Sequence, residues 1–488
     1  MTGTMPSMGQ REVAEDAVVP EPVLLVLDVG QMVHGGYCVA HHLGRVVFVR
    51  HAIPGERVVA QVTDAGPSVR PWWADTVQVV RASEHRRAHP WKLADSLRAY
   101  RIGRRPVAGA EYGHIVMDHQ RRLKAQVFRD TMTRIGRVRP DELDIHVLGR
   151  RDDEPAGLHW STRHQFRVSP SGRLSLPVHR SPVTVPVRNA PPALPALGEL
   201  PLWDLDFSGA SGVEVALSGH TREAMVRVLA TPQVAASMGA LQSRLHGWRG
   251  QLSGLPDHVS AVVALPPRQP GGEAELIGLR GEDWLPERVS SGRYGTRAFR
   301  VSGDAFWHPH RDAPAVLVES VMAAADPRPG HVVADLYAGA GLFSAFLAEA
   351  VGPQGAVLAV EAAARASQDA RQNLRDLPQV AVLHDTAERA TAGWLHEPGL
   401  PPAAGGLGGR RLDAVVLGPP HAGAGPAVLG RVHRLGPGRI VYVSANPVSL
   451  AHDTRHLAEL GWRLDAVEVH DLHPNTHRMV AVCRFTRR

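Results

Sequence analysis

The chain has 488 residues, 44% hydrophobic and 21% charged, which excludes a small single module, a disordered chain and a fibrous repeat and suggests about three domains. Two cysteines, Cys38 and Cys483, exclude a disulfide framework, a four-cysteine zinc site and a four-cysteine iron–sulfur cluster. The formal net charge is +6, and because Lys92 and Lys124 are the only lysines the positive charge is almost wholly arginine, whose planar guanidinium suits phosphates and stacks on bases.

The polar, acidic start has no basic segment followed by an apolar one, and no run reaches the roughly 20 apolar residues of a membrane span. A cytoplasmic protein without a membrane partner is expected. Residues 1–18 read as a disordered tail. Over 19–81, short β-branched runs (VLLVLDVG, YCVAHH, GRVVFVRHAIPGE, RVVAQVTDAG, WWADTVQVVRAS) are punctuated by Gly30, Gly35, Gly36, Gly44 and the Pro54-Gly55 pair, the pattern of a small OB-like barrel. A purely structural SH3-like barrel fits the same pattern.

Residues 81–139 hold fifteen Arg or Lys against five acids, a local excess of ten. Trp72, Trp73, Trp91, Tyr100 and Tyr112 lie in or beside this segment. A solvated charged face is one explanation, but cations interleaved with aromatics point to RNA, and the candidate contacts are Arg86, Arg87, Arg121, Arg122 and Lys124. The segment opens an α+β central module over 82–295, with β-like runs, a loop at APPALPALGELP and a helix expected near AMVRVLATPQVAASMGALQSRLHGW.

From 296 onward strands alternate with helices, which predicts a doubly wound, mainly parallel sheet, so the chain reads as α/β in its last domain, 296–488. There a hydrophobic strand runs into VVADLYAGAGLF, a glycine-rich turn that opens a helix. Gly339 and Gly341 allow a ligand to approach the backbone at a helix N-terminus, and Glu361, twenty residues after Gly341, ends the next strand where an acid can hold ribose hydroxyls. Asp335, Tyr337 and Asp385 complete the candidate cofactor set. Asp385 reads equally well as a helix N-cap.

These motifs carry a resemblance. DVGQMVHGGYCVAH from Asp28 resembles the TRAM RNA-binding barrel, and the D-x-x-x-G-x-G turn resembles the S-adenosylmethionine (SAM) loop of class I methyltransferases. With RRLKAQV, VLGPPHAGAG and VYVSANPVSLAHD, the whole chain resembles the TRAM-bearing methyltransferases that methylate carbon 5 of uridine in tRNA or rRNA. The resemblance implies a TRAM barrel, a central module, a Rossmann-like class I methyltransferase domain, SAM as cofactor, RNA as partner and a monomer.

It also implies chemistry that this sequence lacks. The family attacks carbon 6 of uracil with a cysteine thiolate in V-S-C-N-P, and here the run is Val443-Ser444-Ala445-Asn446-Pro447. Its carboxylate base ends P-H-T-x-H-V-E, and here Val480 ends the run from Pro474. Gly418 and His308 replace its uracil-facing aspartate and glutamine, and the cysteines that hold an iron–sulfur cluster in some members, in the region matching 85–119, are missing. No residue is therefore assigned a catalytic role. His308, His310, His421, His470, His473 and His477 fall near the expected pocket, where a metal site or a base is one reading and chance placement the other. Two functions stay open: an RNA methyltransferase with a degenerate active site, and an inactive RNA-binding paralogue.

Overall fold

The computed structural model describes residues 23–65, 71–149, 156–269 and 272–487. The tail expected over residues 1–18 lies outside the described residues. Strands Leu24–Asp28, Met32–Val33, Tyr37–His42, Arg45–Arg50, Arg57–Asp64 and Trp72–Arg81 form one six-stranded sheet. Period-two alternation turns Leu25 and Leu27 inward beside Val47, Val49, Val58 and Ala60. Past the first strand, Gly30 N donates to Val39 O at 2.7 Å and Val39 N donates to Gln31 O at 3.0 Å, which curls the sheet toward closure. A buried Arg50–Asp75 fork at 2.8 Å ties two of its strands.

The second sheet orders Thr184–Pro186, Leu174–Pro177, Arg163–Val168, Ala210–Leu217, Ala224–Ala230, Val259–Leu265 and Glu275–Arg280. The helix expected from Ala224 begins later. Ala224–Ala230 is a buried strand, parallel to Val259–Leu265, and the helix Met238–Leu252 crosses between them with Ser237 as its N-cap. Alternating β-branched residues in MVRVLA, buried on both faces, override the helical reading.

The third large sheet orders Val380–His384, Ala356–Glu361, Val332–Leu336, Ala414–Leu417, Arg439–Ser444, Val480–Arg487, Trp462–His470 and Val147–Leu148. The first five strands are mutually parallel, and Val480–Arg487 enters antiparallel. Strand order reverses between Val332–Leu336 and Ala414–Leu417. In doubly wound sheets ligands bind in the crevice beyond the carboxyl ends of the strands at such a point.

Residues before 296 also build this domain. Helix Met117–Arg134 inserts Ala125, Phe128 and Met132 into the core that holds Leu450, Leu457 and Trp462. Lys124, 0% exposed, bonds Asp471 at 2.5 Å and His473 O at 3.0 Å. The hairpin Trp284–Ser291 and Gly295–Ser302 likewise packs Val289, Phe299 and Val301 beneath the sheet. No helix among the described residues is long and apolar enough to cross a membrane.

Candidate cofactor and acceptor site

Strand Val332–Leu336 is buried at every position, so the chain leaves the sheet only at Tyr337. Tyr337 has φ 68°, Gly339 58° and Gly341 87°, and this left-handed backbone turns the chain directly into helix Leu342–Val351. A Cβ on Gly341 would lie 2.9 Å from Leu374 Cδ1, whereas one on Gly339 would meet nothing within 4 Å. Gly341 is required by packing, and Gly339 borders open space.

Glu361 organises this turn. Its Oε2 accepts from Gly339 N at 2.8 Å and its Oε1 accepts from Ala363 N at 2.7 Å. Each oxygen keeps a lone pair, so the carboxylate remains able to accept from a ribose hydroxyl. A left-handed glycine beside open space, a helix N-terminus and this fixed acid together fit an adenosyl ligand.

The remaining sequence candidates differ in role. Asp335 is 1% exposed, accepts from Ser344 Oγ at 2.5 Å, and is pushed up to about 7 by burial. Its carboxyl therefore braces the start of the helix through Ser344. Tyr337 is half-buried against the core of the sheet. Asp385 Oδ1 accepts from Thr386 N at 2.8 Å and from Arg389 Nε at 2.5 Å. Thr386, not Asp385, is the N-cap of helix Ala387–His396.

The acceptor side lies at the ends of the next two strands. Gly418 N donates to Leu336 O at 3.1 Å, and Asn446 Nδ2 donates to His421 O at 2.9 Å, so both loops are bonded to their neighbours. Asp453 fixes the first loop by accepting from Ala424 N at 2.8 Å and from the Tyr442 hydroxyl at 2.6 Å. Between these anchors Ala445 is exposed, in the run Val443-Ser444-Ala445-Asn446-Pro447 that resembles the family's V-S-C-N-P. Val480 is 3% exposed and packs in the core with Leu472 and Val482. Cys483, 0% exposed, lies on the same strand with its thiol pushed up to about 12 by burial, which removes it as a substitute nucleophile.

The histidines divide into separate groups. His34 of the barrel meets His477 edge-on at 5.8 Å, and burial, with repulsion from His477 and His421, pushes the His34 imidazole down to about 4. His477 Nδ1 is hydrogen-bonded to the Glu111 carboxylate, which also accepts from His477 N at 2.9 Å. The imidazole beside Glu111 holds that carboxyl well below its usual range. His310 stacks on Trp160 at 5.7 Å, and His473 meets the same ring edge-on at 5.6 Å. His308 is pushed down to about 4 by burial, and His470 bonds Ser320 at 2.9 Å. Among the described residues no group of three or more His, Cys, Asp or Glu could hold a metal ion. Glu111 and His34 escape the sequence reading because their shared partner, His477, lies hundreds of residues away and leaves no local pattern.

Four of the five candidate RNA contacts bond within the protein. Arg86 forks onto buried Glu56 at 2.6 Å, and Arg87 donates to Asn475 Oδ1 at 2.7 Å and Ala156 O at 3.1 Å. Arg121 pairs with Asp471 at 3.4 Å beside buried Lys124. These four cations hold elements of the protein together, whereas Arg122 is exposed. Spacing alone does not distinguish a cation facing solvent from one facing a buried acid.

Comparison with known proteins agrees with this geometry. Residues 283–488 match the tRNA (uracil-5-)-methyltransferase family. An uncharacterised RNA methyltransferase of Streptomyces coelicolor is 33% identical over 97% of this chain and 95% of its own. The 23S rRNA (uracil(1939)-C(5))-methyltransferase RlmD of Alkalilimnicola ehrlichii is 31% identical over 93% of this chain and 94% of its own. The crystal structure of Pyrococcus abyssi tRNA (uracil-54, C5)-methyltransferase with S-adenosyl-L-homocysteine superposes with a TM-score of 0.63 at 17% identity, covering 94% of this chain and 99% of that one. That likeness establishes the fold, and the curated relatives, similar almost end to end, establish the ancestry: the chain belongs to the uracil-5 RNA methyltransferase family.

Proposed function

We propose that this protein is a SAM-dependent RNA methyltransferase that methylates an atom with its own lone pair and not carbon 5 of uridine. The observation that carries this reading is the pairing of an ordered cofactor turn, Gly339 bonded to Glu361 at 2.8 Å, with exposed Ala445 at the nucleophile position. A carbon 5 acceptor needs a thiolate to become nucleophilic, and an N–H or O–H acceptor does not. SAM supplies the methyl group from its sulfonium. Gly339 and Glu361 would hold the adenosyl portion, and the loops at Gly418 and Ala445, at the ends of the next two strands, would face the acceptor. We assign His477, whose Nδ1 is hydrogen-bonded to Glu111, the role of taking the acceptor proton on Nε2, as an oriented imidazole does in general-base catalysis.

The protein acts on tRNA or rRNA as a cytoplasmic monomer without an iron–sulfur cluster, its domains being the barrel 19–81, the central module 82–295, of which helix Met117–Arg134 and strand Trp284–Ser291 pack into the next domain, and the methyltransferase domain 296–488. A second reading, RNA binding without turnover, is favoured by Val480, whose place in the apolar core leaves no carboxylate base there. Transfer of tritiated methyl from SAM to total RNA separates the two. We expect incorporation, reduced about 10²–10⁴-fold in His477→Asn with SAM affinity retained. No incorporation would support the second reading.

A further inference from the structure

The segment after the barrel forms a surface that the internal bonds of Arg86, Arg87, Arg121 and Lys124 do not explain. Trp91, Ala94, Val107 and Ala110 make a small core of their own, packed against Leu176 and Val185 of the central sheet. Val107 N donates to Leu93 O at 3.0 Å and Ala108 N to Pro177 O at 3.1 Å. Helix Ser96–Arg101, capped by Asp95, is thereby held opposite strand Thr184–Pro186. Between them lies a groove of about 660 Å³, within the usual range of ligand sites.

Lys92, Arg98, Arg104, Arg105 and Arg188 line this groove, and no carboxylate does. Among the described residues, the first four form no ion pair, and Arg188 has a single exposed one, to Asp204 at 3.0 Å, a kind worth little. Trp91 also lines the groove, is 5% exposed, and its indole Nε1 is a buried donor with no partner among the described residues. The same helix is joined to the barrel, where the Tyr100 hydroxyl donates to Asp75 Oδ2 at 3.0 Å. The barrel carries Arg45 over Trp72 at 5.0 Å, and Arg180 lies over its Trp73 at 4.2 Å. Arg180 is also paired with Asp64 of the barrel at 3.3 Å.

We propose that this groove binds the phosphodiester backbone of RNA, as a contact separate from the methyl-transfer site. The proposal rests on the RNA reading above and assigns the contact to residues other than those that spacing suggested. Among the described residues, guanidinium and ammonium groups without an ion pair, on helix Ser96–Arg101 and the segments on either side of it, suit consecutive phosphates of an extended strand.

The test is fluorescence anisotropy of the full chain with a fluorescein-labelled single-stranded RNA across a salt series. Arg98→Gln/Arg104→Gln is compared with Arg222→Gln/Arg288→Gln, two exposed arginines outside the groove. Loss of two phosphate contacts lowers the salt slope by about 1.4, at about 0.7 each, and weakens binding about 25-fold at ~0.1 M salt. The control pair should bind like the unmodified protein, and matched melting curves show that both variants fold. Unchanged affinity and slope in the groove variant would overturn the groove and leave the RNA reading intact. No binding by the unmodified protein would overturn the RNA reading itself. If the groove variant lost binding of inorganic pyrophosphate while keeping its RNA affinity, the groove would belong to a free anion and the proposal would fail.

Discussion

Replacing Glu361 with alanine removes one carboxylate and three contributions to cofactor binding. Two are the bonds from Gly339 N and Ala363 N, at 2.8 and 2.7 Å, which set the shape of the turn. The third is the acceptor offered to ribose. Hydrogen bonds to a charged group are worth about 1.5–3 kcal/mol each, and part of the backbone loss is recovered by water in the mutant. A net weakening of about 2–4 kcal/mol remains, or about 30- to 1000-fold in Kd. Isothermal titration with SAM and with S-adenosylhomocysteine reads this directly, and Glu361→Gln, which preserves shape but loses charge, should fall between. Affinity in Glu361→Ala within threefold of the unmodified protein would refute the assignment of this acid to the cofactor.

Lys124→Ala leaves Asp471 buried beside only the more distant Arg121. Removing one partner of a buried pair costs about 3–5 kcal/mol, so the melting temperature should fall steeply, and a melting curve like that of the unmodified protein would contradict a structural role. RNA containing 5-fluorouridine should form no covalent adduct with SAM and the unmodified protein. Ala445→Cys should allow at most a weak adduct on a denaturing gel, whereas an adduct without that change would reveal an unrecognised nucleophile. Asp335 has its folded pKa raised to about 7 from 3.8, so burial favours the protonated form. Its contribution to stability is present below about pH 4 and lost as pH rises through 7, a span of about 4 kcal/mol at most. Asp335→Asn should remove that slope in urea titrations between these pH values, and an unchanged slope would contradict it.

Much of this could be read from the chain because the signals are local. The strand-turn-helix around Gly339 and Gly341, and the acid ending the following strand, follow from short-range backbone requirements, and the structure places them together. The helix start at Met238 is not legible in the sequence, because MVRVLA reads as either element until its neighbouring strands are known. The internal bonds of Arg86, Arg87, Arg121 and Lys124 are not legible in the sequence, because their partners Glu56, Asn475 and Asp471 lie elsewhere in the chain. The Glu111–His477 pair has the same cause, a long-range contact with no periodicity.

The most direct test of the proposed chemistry is the identity of the methylated nucleoside. Total RNA incubated with the protein and tritiated SAM, digested to nucleosides and separated by chromatography, should carry label on a nucleoside methylated at nitrogen or oxygen. Label in 5-methyluridine would contradict it, because exposed Ala445 and buried Val480 provide neither the thiolate nor the base that carbon 5 requires.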